Sequence, residues 1–297
     1  MLATSTYNSI SDEELMAITS IIKNRFGIDF TGYEKQSMKR SLARVMGKCK
    51  LDSTTDLINV ILDENNRFVN SINDLTFSRT ELFRNPDVWE VLEQDVLEKL
   101  KFKPNINIWH AGCSSGEEVY SMALILAHHN LLQKTTTLAT DISTRALDRA
   151  IQGRYSNTLV SKFEKSLQRF RPYGQIDELF HIDEFNATVR DQYKKHINFR
   201  NHNLISDSTN EKFDIIFCRN VMLYFDDTLK LEVIKKLRQS LKDGGFLVLG
   251  YYDLLPEEVE EYIVPYSASS QIFQAKKSET IEVEMHDRRF TLNKISA

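Results

Sequence analysis

Apolar residues recur at helical spacing through the first hundred positions and at strand spacing after them. Leu15, Ile18, Ile21, Ile22 and Phe26 share one helical face. Ser11-Asp12-Glu13-Glu14, just ahead, has the form of a capping box, and Gly27 supplies the stop. Met38, Leu42, Val45 and Met46 predict a second helix over 33–46, and a third fits 54–62 with Ser53 as its cap. No strand pattern interrupts this stretch. A helical unit of roughly 75 residues is small for independent stability, so it is expected to lean on the rest of the chain.

From about Lys101 the period changes. Residues 106–109 read as a strand, followed by Gly112, Ser114, Ser115 and Gly116 and a helix over 117–129. A second strand fits 137–140 and a helix 145–152. Near the other end, 213–218, 228–241, Gly244-Gly245 and 246–249 give strand, helix, turn and strand. Strands alternating with helices of this length predict an α/β fold on a parallel sheet, with ligands at the strands' C-terminal ends. Residues 155–203 break the rhythm and suit an insertion. The expected organisation is a helical domain over 10–80, an α/β domain over 81–276 with an insert at about 155–200, and a peripheral polar tail over 277–297.

Composition narrows the class. The 297 residues are 41% hydrophobic and 27% charged, with ten Gly and five Pro, which builds a core and excludes a disordered or collagen-like chain. A net charge of −4 argues against a general nucleic-acid coat and leaves room for a local basic patch. Cys49, Cys113 and Cys218 lack paired spacing, so neither a disulfide framework nor a zinc site is expected. The acidic start at Asp12-Glu13-Glu14 is the opposite of a secretory leader, and the apolar windows are far shorter than a membrane span needs. A cytoplasmic protein without membrane insertion is the expectation.

The chemistry begins at the Gly112–x–x–x–Gly116 loop, where a strand hands over to a helix and a ligand can approach backbone N–H groups. Alone, this is as compatible with a tight turn that binds nothing. Asp141 follows the next strand, where a carboxylate can accept both ribose hydroxyls, although an acid there can also be a helix cap. Together they favour an adenosine-containing ligand, a nicotinamide dinucleotide or S-adenosylmethionine. Glu117-Glu118 at the helix start repels a pyrophosphate and tolerates a sulfonium, which favours methyl transfer.

Longer strings sharpen this. Residues 109–121 (WHAGCSSGEEVYS) and 213–225 (FDIIFCRNVMLYF), with Ala139-Thr140-Asp141-Ile142-Ser143, Asn203-Leu204 and Thr80-Glu81-Leu82-Phe83-Arg84, resemble the CheR family of chemotaxis receptor methyltransferases. The likeness spans about 14–274 in family order. It implies a small all-helical domain, a Rossmann-like methyltransferase domain and a small inserted β-subdomain. It implies S-adenosylmethionine as cofactor and a γ-carboxyl methyl ester on glutamates of chemoreceptor cytoplasmic helices as product, in chemotaxis adaptation, by a monomer. Carried over, Thr80, Arg84, Glu118, Asp141, Asn203, Leu204, Asn220 and Val221 contact the cofactor, and Arg84 and Tyr224 lie near the transferred methyl. Without the resemblance, Arg84 reads as a surface ion pair and Tyr224 as a half-buried core aromatic.

Arg40, Arg44 and Lys48 recur at every fourth position, opposite Met38, Leu42 and Val45. A solvated face is the usual explanation; the resemblance implies docking of acidic receptor helices instead. The chain departs from the family at Leu82, where a phenylalanine is usual, and at Ser78, Val119 and Ser41. It departs most at Gly250-Tyr251-Tyr252-Asp253, where Gly-x-Ser-Glu is general. That segment keeps open a same-fold methyltransferase for a non-receptor substrate. A catalytically reduced S-adenosylmethionine-binding regulator is the alternative from another class.

Overall fold

The computed structural model describes residues 10–63, 68, 75, 80–167, 176–267 and 270–277. Ser78 and residues 278–297 of the expected tail lie outside them. Three helices open the fold: α1 (Asp12–Phe26), α2 (Lys35–Cys49) and α3 (Thr54–Leu62). The capping box forms, with Glu14 N–H donating to Ser11 Oγ at 3.1 Å and Ser11 N–H to Glu14 Oε2 at 2.7 Å. Gly27 ends α1 at φ +70°. α2 begins at Lys35 and not at Tyr33, because the Glu34 carboxylate caps it by accepting the N–H groups of Gln36 and Ser37. Leu15, Ile18, Ile22, Leu42, Val45, Leu57 and Ile61 meet in one apolar cluster, each worth about 1.5–3 kcal/mol over an exposed position.

The helical unit leans on the rest through its 32–34 segment. Tyr33 bridges Phe225, Glu34 N–H donates to Tyr224 O at 2.8 Å, and Asp226 N–H donates to Gly32 O at 2.9 Å. The Tyr33 and Phe225 rings meet edge-on with centroids 5.1 Å apart.

Helix α4 (Pro86–Val91) runs on through wider turns to Leu100 and delivers the chain to the sheet. The strands are β1 (Ile106–Ala111), β2 (Thr135–Asp141), β6 (Ile197–Asn201), β7 (Phe213–Cys218), β8 (Leu241–Leu249), β9 (Ile263–Ser267) and β10 (Ile272–Ala275), in the order β6-β2-β1-β7-β8-β10-β9. The first five in that order are parallel and β10 and β9 antiparallel. Helix α5 (Glu117–His128) and the 86–100 helix cover one face, where Trp89, Leu92 and Leu124 share a core with Ile108, Ile215 and Phe217. Helix α8 (Asp227–Ser240) covers the other, packing Val233, Ile234 and Leu237 with Trp109, Ile216 and Leu247. With both faces covered, every residue of β7 is buried, and the strand is apolar apart from Asp214, whose carboxylate pairs with Lys103 and Lys242.

Two expected boundaries shift. The three-stranded antiparallel sheet, in the order β3 (Arg154–Ser156), β5 (Asn186–Val189), β4 (Phe180–Ile182), starts one residue before the 155–200 segment and otherwise lies in it. β6, however, pairs with β2 and belongs to the main sheet. Its sequence hides this, because an edge strand presents only Ile197 and Phe199 inward. β8 starts at Leu241, so Gly244-Gly245 is an irregularity within the strand and not a turn before it; pairing with β7 jumps from Phe213–Leu241 to Ile215–Phe246. α6 (Thr144–Gln152) and α7 (Asn157–Leu167) complete the described long helices.

Candidate functional site

Register puts the strand ends in a row. Ala111 lies opposite Thr140, Asp141 opposite Asn201, and Cys218 opposite Leu249. The loops after β1, β2, β6 and β7 therefore open on one edge, at the point where the strand order reverses around β1. A cavity of about 1120 Å³, its open mouth included, occupies that edge. Thr80, Arg84, Glu118, Asp141, Asn203, Leu204, Asn220, Val221 and Tyr224 all line it. These residues are scattered along the sequence, and the fold brings them together. Arg40, Arg44 and Lys48 are not among the lining residues.

The first wall is the loop after β1. Gly112 adopts φ +86°, and a Cβ there would come within 2.5 Å of Val221 Cγ2, so only glycine allows this approach. The N–H groups of Gly112 and Cys113 both donate to Thr140 O at 2.8 Å, and Ser114 N–H donates to Asp141 Oδ2 at 2.8 Å. These amides are committed to the protein, which argues against a pyrophosphate cradle.

Asp141 also accepts Ser143 N–H on Oδ1 at 2.8 Å, while Ser143 itself caps α6. Burial pushes the Asp141 carboxyl above its ordinary range, and the N–H groups of Ser143 and Ser114 pull it back only in part. Each of its oxygens has a second lone pair, so a ribose diol could still be accepted.

The acidic pair at the helix start behaves differently from its expected role. Glu117 is 2% exposed, is not a lining residue, and bonds Ser115 Oγ at 2.8 Å; burial pushes it up to about 7. Glu118 does line the cavity, in a network where His110 Nδ1 lies 2.9 Å and Arg219 Nη1 3.1 Å from its carboxylate. Burial alone would raise it, but those partners hold it below the usual range. A pair of bare charges repelling phosphate is therefore not what the structure contains. The committed loop amides carry the exclusion instead.

The second wall comes from the turn after β7 and from the 80–85 segment. Arg219 Nη2 donates to Arg84 O and Asn85 Oδ1, both at 2.9 Å, and Trp89 Nε1 donates to Arg84 O at 3.0 Å. Phe83 and Asn85, on either side of Arg84, both adopt positive φ, +51° and +58°. Backbone held this far from its preferred basin is a mark of functional positions. Ile142, Leu204 and Ile205 give the cavity an apolar side suited to a flat base.

Tyr33, Ser37, Met38 and Ser41 also line the cavity, from the helical unit. Sequence reasoning assigned Met38 to the core and missed the others. The signal was present as Ser37 and Ser41, small polar residues one turn apart on an otherwise apolar face. Arg44 donates to Ser41 Oγ at 3.3 Å and is half-buried, whereas Arg40 and Lys48 are exposed. Burial raises the Tyr224 hydroxyl, as does the Asp253 carboxylate, and the guanidinium groups of Arg44 and Arg84 act on it in the opposite sense. The donor set suits a ligand with a ribose, a flat base and a zwitterionic arm, for which Arg84 and Glu118 offer opposite charges.

Comparison with known proteins identifies the family of the chain. The family described as CheR methyltransferase, SAM binding domain, matches residues 78–283, and CheR methyltransferase, all-alpha domain, matches 13–76. The chemotaxis protein methyltransferase 1 of Vibrio cholerae is 34% identical over 252 residues, covering 82% of this chain and 89% of that protein. The chemotaxis protein methyltransferase of Borreliella burgdorferi is 30% identical over 272 residues, covering 86% and 94%. Among solved structures, the N-methyltransferase NodS of Bradyrhizobium japonicum with S-adenosyl-L-homocysteine superposes with a TM-score of 0.36 at 16% identity, covering 74% and 95%, too distant to bear on function.

Proposed function

The chain belongs to the CheR methyltransferase family, and on that premise we propose that it methylates glutamate side chains on the cytoplasmic helices of chemoreceptors, giving γ-carboxyl methyl esters. It is a methyltransferase that uses S-adenosylmethionine. When bound, that cofactor supplies a methyl group on a sulfonium centre. Asp141 would accept its ribose hydroxyls, Ile142, Leu204 and Ile205 would enclose its base, and Glu118 and Arg84 would hold its charged arm.

The observation that carries the acceptor class is the placement of Arg84 and Tyr224 on one cavity, with Arg44 of the helical unit bonded to the lining residue Ser41. A guanidinium and a hydroxyl facing one cavity suit an anionic acceptor. A glutamate is already ionised at neutral pH, so no general base is required of the protein. What remains is positioning, which a charge-assisted bond from arginine and a hydroxyl donor can supply. The partly buried setting strengthens both interactions.

The test is transfer of labelled methyl to a receptor cytoplasmic fragment, followed by mild alkali. An ester releases the label as volatile methanol. Label that stays on the protein through that treatment would show a different acceptor atom, and no label on any receptor fragment would favour a non-receptor substrate.

A further inference from the structure

The segment in which the chain departs most from its family, 250–253, comes after β8 and folds back against the turn after β7. Asp253 is 2% exposed. Its Oδ2 accepts Asn220 N–H at 2.6 Å and Gly250 N–H at 2.8 Å, and its Oδ1 accepts Leu223 N–H at 2.9 Å. One buried carboxylate thus gathers three backbone N–H groups from the ends of two neighbouring strands. The loop is itself pinned by Tyr251, whose hydroxyl donates to Asp87 at the start of α4.

The groups it holds are those that shape the cavity. Asn220 stands at φ +59°, a conformation that a non-glycine residue keeps only when its surroundings enforce it. Asn220 and Val221 line the cavity, and the short turn Met222–Tyr224 that begins beside them presents Tyr224. Gly250 completes the contact, since a Cβ there would lie 2.7 Å from Asn220 N and 2.8 Å from Asp253 Oδ2. Two loops can approach this closely only across a glycine.

We propose that Asp253 is a positioning residue, a carboxylate clasp that fixes the 220–224 turn in the conformation that holds the cofactor and aims Tyr224. It touches neither substrate nor cofactor and acts through the backbone of Asn220 and Leu223. The inference rests on the reading of that turn as a cofactor wall, and the experiment separates the two.

Calorimetric titration of S-adenosylhomocysteine into folded Asp253→Asn is the direct test. The amide keeps one acceptor oxygen and turns an NH2 toward N–H donors, so the dissociation constant should rise at least about tenfold. Asp253→Glu restores the family's usual carboxylate and should recover affinity to within about threefold of wild type. Wild-type affinity in Asp253→Asn, or a loss in Asp253→Glu equal to that in Asp253→Asn, would overturn the clasp. Should Asp253→Asn fail to fold, Gly250→Ala decides. Its Cβ would push the turn off the carboxylate, and unaltered affinity there would overturn the proposal equally. Asn220→Gly, which keeps the positive φ and removes the side chain, serves as the control. If it weakens binding while Asp253→Asn does not, only the clasp fails. If it leaves binding unchanged, the cofactor-wall reading falls and takes the clasp with it.

Discussion

Replacing Asp141 by Asn separates two roles that one carboxylate combines. Both oxygens accept backbone N–H groups at 2.8 Å, from Ser114 and from Ser143. Asparagine keeps one oxygen and turns an NH2 toward the other donor. It also removes the charge that a ribose hydroxyl would meet. A hydrogen bond to a charged group is worth about 1.5–3 kcal/mol, so S-adenosylhomocysteine should bind roughly ten- to a hundredfold more weakly. Stability should move less. Burial outweighs the two N–H bonds and holds the carboxyl above its ordinary range, so removing the charge relieves part of a cost the folded protein bears. The same shift sets the sign of the pH dependence. Wild-type affinity, which needs the ionised form, should decline as pH falls through the raised Asp141 value, whereas the Asn variant should stay flat over that window. Calorimetric titration across a pH series, with urea unfolding at each pH, measures both. An Asn variant that binds as tightly as wild type and keeps the same acid-side decline would show that Asp141 only ties the loop and that the ribose is held elsewhere.

Glu117 offers a stability prediction of the opposite kind. Its folded value is pushed up to about 7 from an ordinary 4.5, so the folded state favours the proton, and its contribution is full below about pH 4.5 and lost as pH rises through 7. Glu117→Gln should therefore be more stable than wild type at pH 8 by on the order of 3 kcal/mol and equal to it near pH 4, as read by urea unfolding; no difference at pH 8 would refute the burial argument. On α2, the double change Arg40→Ala, Lys48→Ala should raise the KM for a receptor fragment and flatten its salt dependence while leaving kcat and cofactor affinity near wild type. Arg44→Ala should lower kcat as well, because Arg44 is half-buried and donates to the cavity-lining Ser41; identical kinetics for the two variants would place all three residues on one docking face.

Much of the fold was legible in residues whose role is local. Ser11, Glu14, Gly27 and Ser53 fix helix ends through bonds that span only a few positions, and the structure forms each of them. The cavity residues were legible for another reason: they stand at strand ends, in strings specific enough to recognise as a family's. What sequence could not yield were relations that depend on register. β6 was hidden because an edge strand needs few inward apolar positions. Glu117 and Glu118 look equivalent in a chain, yet a rotation of one residue about the helix axis buries one against Ser115 and points the other at Arg219. Repulsion of phosphate by that pair pointed to the right cofactor, but the committed loop amides, and not the pair, are what exclude a pyrophosphate. Asp253 was visible only as a departure, since two of the three N–H groups it gathers lie some thirty positions away.

The helical unit completes the cavity with residues that also seat it against the α/β domain. Tyr33 both packs on Phe225 and lines the cavity wall, and the bridge it makes is adjacent in sequence to Tyr224. Ser37, Met38 and Ser41 form the inner face of α2 at the cavity, while Arg40 and Lys48 lie on its exposed side. One side of α2 is thus exposed while the other lines the cavity. Small residues at 37 and 41 leave room there, and Arg44, half-buried between the two sides, donates to a cavity-lining side chain, Ser41. Filling the inner side tests that placement: Ser41→Leu should lower cofactor affinity and leave the salt dependence of receptor association intact, and wild-type cofactor affinity in that variant would refute it.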